Sequence, residues 1–195
     1  MIKQFAGASI WSADLNNLLP FYRDTLGLQV VMESPGYVML GADSPAAPAL
    51  GLGTHSEVSG RKTYDSAAES WPHATDEIGF ADKMNRMPKV VVSTTLEAGS
   101  WHPTAVVKKD VAEAVTALKA QPGGNIYIYG SNTLVQLLMQ QDLIDEYRLM
   151  IYPVVLGGGK RLFNDGIAPA QLKLVESKVF SSGLVALTYQ PDRTA

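Results

Sequence analysis

"GGNIYIYGSNTL", residues 123–134, reads as a buried strand that runs straight into a helix. "NIYIYG", 125–130, is short, apolar and bounded by turn residues, as a strand covered on both faces would be. Ser131-Asn132-Thr133 then opens a helix carrying Leu134, Leu137 and Leu138. Gly130 at the junction permits a tight turn and close approach of a ligand. The first N–H groups of a helix have no intrahelical partner and lie at the positive end of its dipole. Gly130, Ser131, Asn132 and Thr133 therefore form a candidate phosphate seat. Plain capping of the helix by Ser131 is the alternative.

The same grammar recurs on both sides of this stretch. "KVVVST", 89–94, and "TAVV", 104–107, are buried-strand runs, and helices are expected near 63–70 and 76–86. Val111, Ala114, Val115 and Leu118 make a helical stripe, with Asp110 and Glu113 as an aspartate form of the capping box. "YRLMIYPVVLG", 147–157, and tail strands at 171–179 and 183–190 complete the series. Strands alternating with helices predict an α/β fold with a mostly parallel sheet. Two closing strands with no helix between them predict an antiparallel C-terminal hairpin.

The first 58 residues read differently. Residues 2–10 suit a strand, Leu15 to Leu26 follow helical spacing up to Gly27, and strands follow at 28–33, 37–40 and 50–52. The order is β-α-β-β-β. The expected division is 1–59 and 60–195.

Bulk properties narrow the function. Of 195 residues, 46% are hydrophobic and 18% charged, which suits a substantial core. A net charge of −3 gives no footprint for nucleic acid or an anionic membrane. The absence of cysteine excludes disulfides, thiolate metal sites and cysteine nucleophiles. No signal peptide and no apolar run of about 20 residues is visible, so a soluble, cytoplasmic protein is expected.

Two more turns resemble the first. Gly60-Arg61-Lys62-Thr63 sets two cations and a hydroxyl just ahead of a helix, which suits phosphate. Ser93-Thr94-Thr95 ends the "KVVV" strand, where ligands gather in open α/β sheets. Together the three turns point to a dinucleotide. "LGGGKRLF", 156–163, is no P-loop, because Val154 replaces its first glycine and Arg161 its Ser/Thr. The G-x-G-x-x-G fingerprint is absent too. His55 and Glu57 lie two apart on an expected strand and share a face, which makes half a metal site. His73 and His102 each flank a proline in loops.

From Gly60 onward the chain resembles the dihydrofolate-reductase-like reductases, in the branch of the C-terminal domain of riboflavin-biosynthesis reductases. The resemblance rests on "GRKTYDSAAESWP", "FADKMNRMPKVVVSTTL", "GGNIYIYGSNTLVQLLMQQDLIDEYRL", "YPVVLGGGKRLF" and "LVESKVFSSGLVALTYQP". It implies an α/β sheet with an antiparallel tail, and NADPH as cofactor. By resemblance, Gly60–Thr63 meet cofactor phosphate, Ser93–Thr95 lie near the adenosine ribose or its 2′-phosphate, and Gly130–Thr133 hold the pyrophosphate. Gly157, Gly158 and Gly159 would lie near the substrate end or an inter-subunit surface. Residues 1–58 instead resemble one βαβββ module of the glyoxalase/bleomycin-resistance/dioxygenase group, on "SIWSADLNNLLPFYRDTLGLQVV", "PGYVMLG" and "LGLGTHSEVSG". Its first metal ligand would fall near Gly7, which offers none; Glu57 or His55 would stand for the last.

The family's opening strand and loop, which supply the central strand and much of the substrate pocket, have no match here. The acid role is assigned to no residue. The resemblance implies a homodimeric NADPH-dependent reductase of a pteridine or aminopyrimidine-type heterocycle. The alternatives are a non-catalytic nucleotide-binding fusion relic, and a metal-dependent glyoxalase-like lyase, dioxygenase or resistance protein.

Overall fold

A computed structural model of the chain describes residues 2–6, 29–34, 37–41, 56–75, 80–129, 131–155 and 159–194. Ten strands are formed: β1 Ile2–Ala6, β2 Gln29–Ser34, β3 Tyr37–Gly41, β4 Ser56–Gly60, β5 Lys89–Val92, β6 Thr104–Val107, β7 Ile126–Tyr129, β8 Glu146–Ile151, β9 Leu172–Val179 and β10 Val185–Pro191. The helices are α1 Arg61–Ser70, α2 Phe80–Arg86, α3 Val111–Lys119 and α4 Asn132–Gln140. Eight strands make one sheet in the order β6-β5-β4-β7-β1-β8-β10-β9, and β2 and β3 pair as a separate antiparallel hairpin. The first six are mutually parallel, whereas β10 runs antiparallel to both β8 and β9. The α/β class, the parallel sheet and the C-terminal hairpin are as the sequence predicts.

Helices cover both faces of the parallel part, which is why its strands read as continuous apolar runs. Val58, Ile126 and Ile128 pack with Leu134, Val135 and Leu138 of α4 on one face. Val91 packs with Tyr64 of α1, Met84 of α2 and Trp101 on the other. Register explains the split, because Val58 lies beside Val90 and Ser59 beside Val91. Among the described residues, no helix is long and apolar enough to cross a membrane.

Two expectations need correction. The described residues do not form a separate βαβββ half-module: β1 lies between β7 and β8 in the main sheet, and β4 lies between β5 and β7. β1 thereby supplies the central strand that finds no match in the sequence. The expected helix at 15–26 and strand at 50–52 lie outside the described residues. Asp110 does not form a capping box; it sits at φ 51° and ψ 44° with no side-chain cap bond.

Candidate functional site

The site begins with the routing of the chain. From the carboxyl end of β4 the chain turns through α1 and α2 to β5, on one side of β4. From the carboxyl end of β7 it turns through α4 to β8, on the other side. β4 and β7 are neighbours, so their connections leave in opposite directions. That divergence opens a crevice outside the strand ends, the place where open α/β sheets bind ligands.

Ser131 ties the two turns together across this crevice. Its hydroxyl accepts a hydrogen bond from Gly60 N–H at 2.9 Å and donates to Thr63 Oγ1 at 2.9 Å. A Cβ on Gly60 would come within 3.7 Å of Ser131 Oγ, so the two turns are in contact. Ser131 adopts φ 51° and ψ 50°, a left-handed conformation that a serine holds only at a cost. Its side chain makes no cap bond to α4. The capping alternative is thereby replaced: the hydroxyl serves the neighbouring turn. No side chain caps α1 either. The first N–H groups of both helices are left to whatever lies above the sheet edge.

The third turn adjoins these two, because Val92 of β5 lies beside Gly60 in register. Ser93 Oγ accepts from the N–H groups of Thr95 at 3.2 Å and Leu96 at 3.1 Å. This closes a tight turn over a buried Ser93 and leaves Thr94 and Thr95 exposed. Of the cations, Lys62 is exposed, while Arg61 Nε bonds both carboxylate oxygens of Asp65, at 2.7 and 2.6 Å. An exposed pair of this kind contributes about 0–1 kcal/mol and gives way readily to a stronger anion.

The Gly-rich segment approaches from α4. Asn132 Nδ2 donates to the Arg161 carbonyl at 2.7 Å, and Gln136 Nε2 to the carbonyls of Arg161 and Leu162, both at 3.0 Å. Gly159 has φ 150°, which favours glycine. Gly130, Gly157, Gly158 and His55 lie outside the described residues.

Glu57 is not at this edge. It lies three residues before Gly60 on β4, about 10 Å down the strand. Its register partners are Lys89 on β5 and Tyr127 on β7. It is 2% exposed, and Oε2 has no hydrogen-bond partner. Burial pushes its carboxyl up to about 7, opposed by the Lys89 charge. Burial pulls the Lys89 ammonium down to about 8, opposed by Glu57. Lys89 Nζ donates to the Asn85 carbonyl at 2.8 Å and sits 3.9 Å from the Trp101 ring centroid. Glu57 thus lies beside Lys89 in the sheet register and within reach of its charge. Among the described residues, no three His, Cys, Asp or Glu side chains gather as a metal site.

Sequence reading missed this buried pair. Lys89 opens an apolar run, and its burial depends on Trp101 and Asn85, which only the folded chain brings beside it. It missed Asn132 and Gln136 as anchors as well, since their carbonyl partners lie 25 residues or more along the chain.

Fold and edge define an open α/β protein whose strand connections diverge between β4 and β7. Residues 54–186 match the family described as the RibD C-terminal domain, and the chain belongs to that family. It is 33% identical over 132 residues to the uncharacterized protein YyaP of Bacillus subtilis (strain 168), covering 67% of this chain and 70% of YyaP. It is 40% identical over 74 residues to YwjB of the same strain, covering 37% and 42% of the two chains. A crystal structure of a putative riboflavin biosynthesis protein from Shewanella sp. PV-4 shares the fold. Its TM-score is 0.61 at 24% identity, over 78% of this chain and 85% of that one.

Proposed function

We propose that the protein is an NADPH-dependent reductase of a pteridine or aminopyrimidine-type heterocycle, of the dihydrofolate reductase or 5-amino-6-(5-phosphoribosylamino)uracil reductase kind. The observation that carries this reading is the Ser131 bridge. It holds two uncapped helix starts side by side at the diverging strand ends, in a chain of the RibD C-terminal family. The residues present fit a dinucleotide diphosphate. The first N–H groups of α4, with Asn132 and Thr133, would take the pyrophosphate, and Gly60–Thr63 would approach it from the neighbouring strand. Lys62 is exposed at that edge, and Arg61 would exchange Asp65 for phosphate. Thr94 and Thr95 would face the ribose or its phosphate. The segment from Gly157 to Gly159 would border the substrate. Bound NADPH supplies the hydride; the protein orients the two rings and excludes water.

Titration with NADPH, followed by thermal unfolding, tests the cofactor. Stabilisation that grows with NADPH and is weakened about tenfold or more by Arg61→Ala supports the reading. No stabilisation at millimolar NADPH overturns it. Binding without oxidation across a panel of pterins and aminopyrimidines favours the non-catalytic alternative instead.

A further inference from the structure

Residues 159–171, between β8 and β9, form neither helix nor strand. Without ladder bonds, the order of such a stretch depends on what its neighbours offer its backbone groups. Side chains hold its first part against α4. Leu162 packs on the core cluster that α4 shares with β4 and β7. The Phe163 ring meets the Tyr147 ring edge-on, with centroids 6.3 Å apart. Lys160 and Arg161, between these anchors and the glycine run, are exposed.

Gln136 is the centre of that hold. Its Nε2 donates to the carbonyls of Arg161 and Leu162 and to Asn132 Oδ1, each at 3.0 Å. Its Oε1 accepts from Asn164 Nδ2 at 2.7 Å. Backbone carbonyls only accept, so the amide has one usable orientation and both its ends are committed. Three of the four partners lie 25, 26 and 28 residues further along the chain.

Asn132 closes the network at the other end. It is the first residue of α4 and follows the left-handed Ser131. Its N–H is among those with no intrahelical partner. Its Nδ2 donates to the same Arg161 carbonyl at 2.7 Å, and its Oδ1 accepts from Gln136. If this edge is the diphosphate seat, a phosphate that fixes the backbone of Asn132 also fixes the donor that holds Arg161. Gln136, one turn along α4, locks the rotamer of that donor.

We propose that Gln136 is a positioning residue that couples the two ends of the site. It seats the Arg161–Asn164 segment on α4, and the seated segment holds the start of α4 in the form that binds the cofactor diphosphate. The proposal rests on the reductase reading above. Such coupling is reciprocal: the factor by which NADPH favours the seated segment equals the factor by which seating favours NADPH.

Lys160 and Arg161 provide the readout, because both are exposed sites for trypsin. In the full-length wild type, saturating NADPH should slow cleavage after these residues at least about fivefold, read by mass spectrometry of brief digests. In Gln136→Leu, cleavage there should be fast with and without NADPH, and the Kd for NADPH should rise at least about fivefold by titration calorimetry. Gln136→Glu keeps the shape of the side chain but sets an oxygen against two carbonyls, and should act in the same direction. Gln140→Leu, at an exposed position one turn further along α4, should leave both readouts at wild-type values. Circular dichroism confirms that each variant folds, and Gln136→Glu decides the matter if Gln136→Leu does not. A Gln136 that only braces the fold changes the melting temperature and leaves the NADPH Kd and the NADPH protection where they were. That result overturns the proposal while the reductase reading stands, whereas a wild type that binds no NADPH overturns both.

Discussion

Glu57 and Lys89 show how far a residue's environment can depart from its local pattern. In sequence Glu57 alternates with His55 like the outer face of a strand, yet β4 is central and covered on both faces. A folded-state carboxyl raised from 4.5 to about 7 favours the protonated form. Its contribution to stability is therefore complete below pH 4.5 and is lost as pH rises to about 7. The gap corresponds to about 3 kcal/mol. Lys89 acts at the other end: its contribution is present above 10.5 and lost as pH falls through about 8. Glu57→Gln should flatten the fall in melting temperature between pH 4.5 and about 7. A variant that keeps the wild-type slope would remove Glu57 as its source. Ser131 allows a second test at this scale. Ser131→Ala loses both hydroxyl bonds and keeps the left-handed backbone; Ser131→Gly loses the bonds and relieves the strain. Denaturant unfolding should find the glycine variant more stable than the alanine variant by about 1 kcal/mol. Both should bind NADPH more weakly than wild type.

At the scale of elements, strands and helix α4 were legible because local pattern and tertiary burial agree. β5, β6 and β7 announce themselves as apolar runs, and α4 begins where Ser131 follows the strand. The burial of α4 was legible only in part. Spacing selects Leu134, Leu137 and Leu138, whereas the helix buries Leu134, Val135 and Leu138 and leaves Leu137 39% exposed. The buried stripe is rotated toward Val135 because α4 lies over Val58, Ile126 and Ile128. Leu138→Ala should cost about 2–5 kcal/mol through lost packing and a cavity, and Leu137→Ala about 0.5 kcal/mol or less. Paired denaturant melts measure the difference, and equal losses would contradict the assigned face. The crevice was legible as three separate turns. Their union at one edge was not, because it depends on β4 and β7 being neighbours although 65 residues lie between Gly60 and Ile126.

For the whole molecule, the decisive strand lies outside the part that matches the family. The match spans residues 54–186, yet β1, at residues 2–6, joins the two halves of the sheet. Ile2–Phe5 lie beside Ile126–Tyr129 of β7, and Lys3–Ala6 beside Glu146–Leu149 of β8. No local signal reveals this, since a short mixed segment at the start of a chain suits many partners. Its place is set by the two parallel ladders, which only the assembled sheet provides. The β2–β3 hairpin stands apart as its own two-stranded sheet. Proline in a central strand removes a ladder donor and is confined elsewhere to edges and bulges. An isolated two-stranded hairpin contributes little independent stability. Gln4→Pro in β1 should therefore lower the melting temperature and the cooperativity of unfolding sharply. Val38→Pro in β3 should change both much less. Differential scanning calorimetry of the two variants decides the matter, and a Gln4→Pro protein that melts like wild type would show that β7 and β8 hold together without β1.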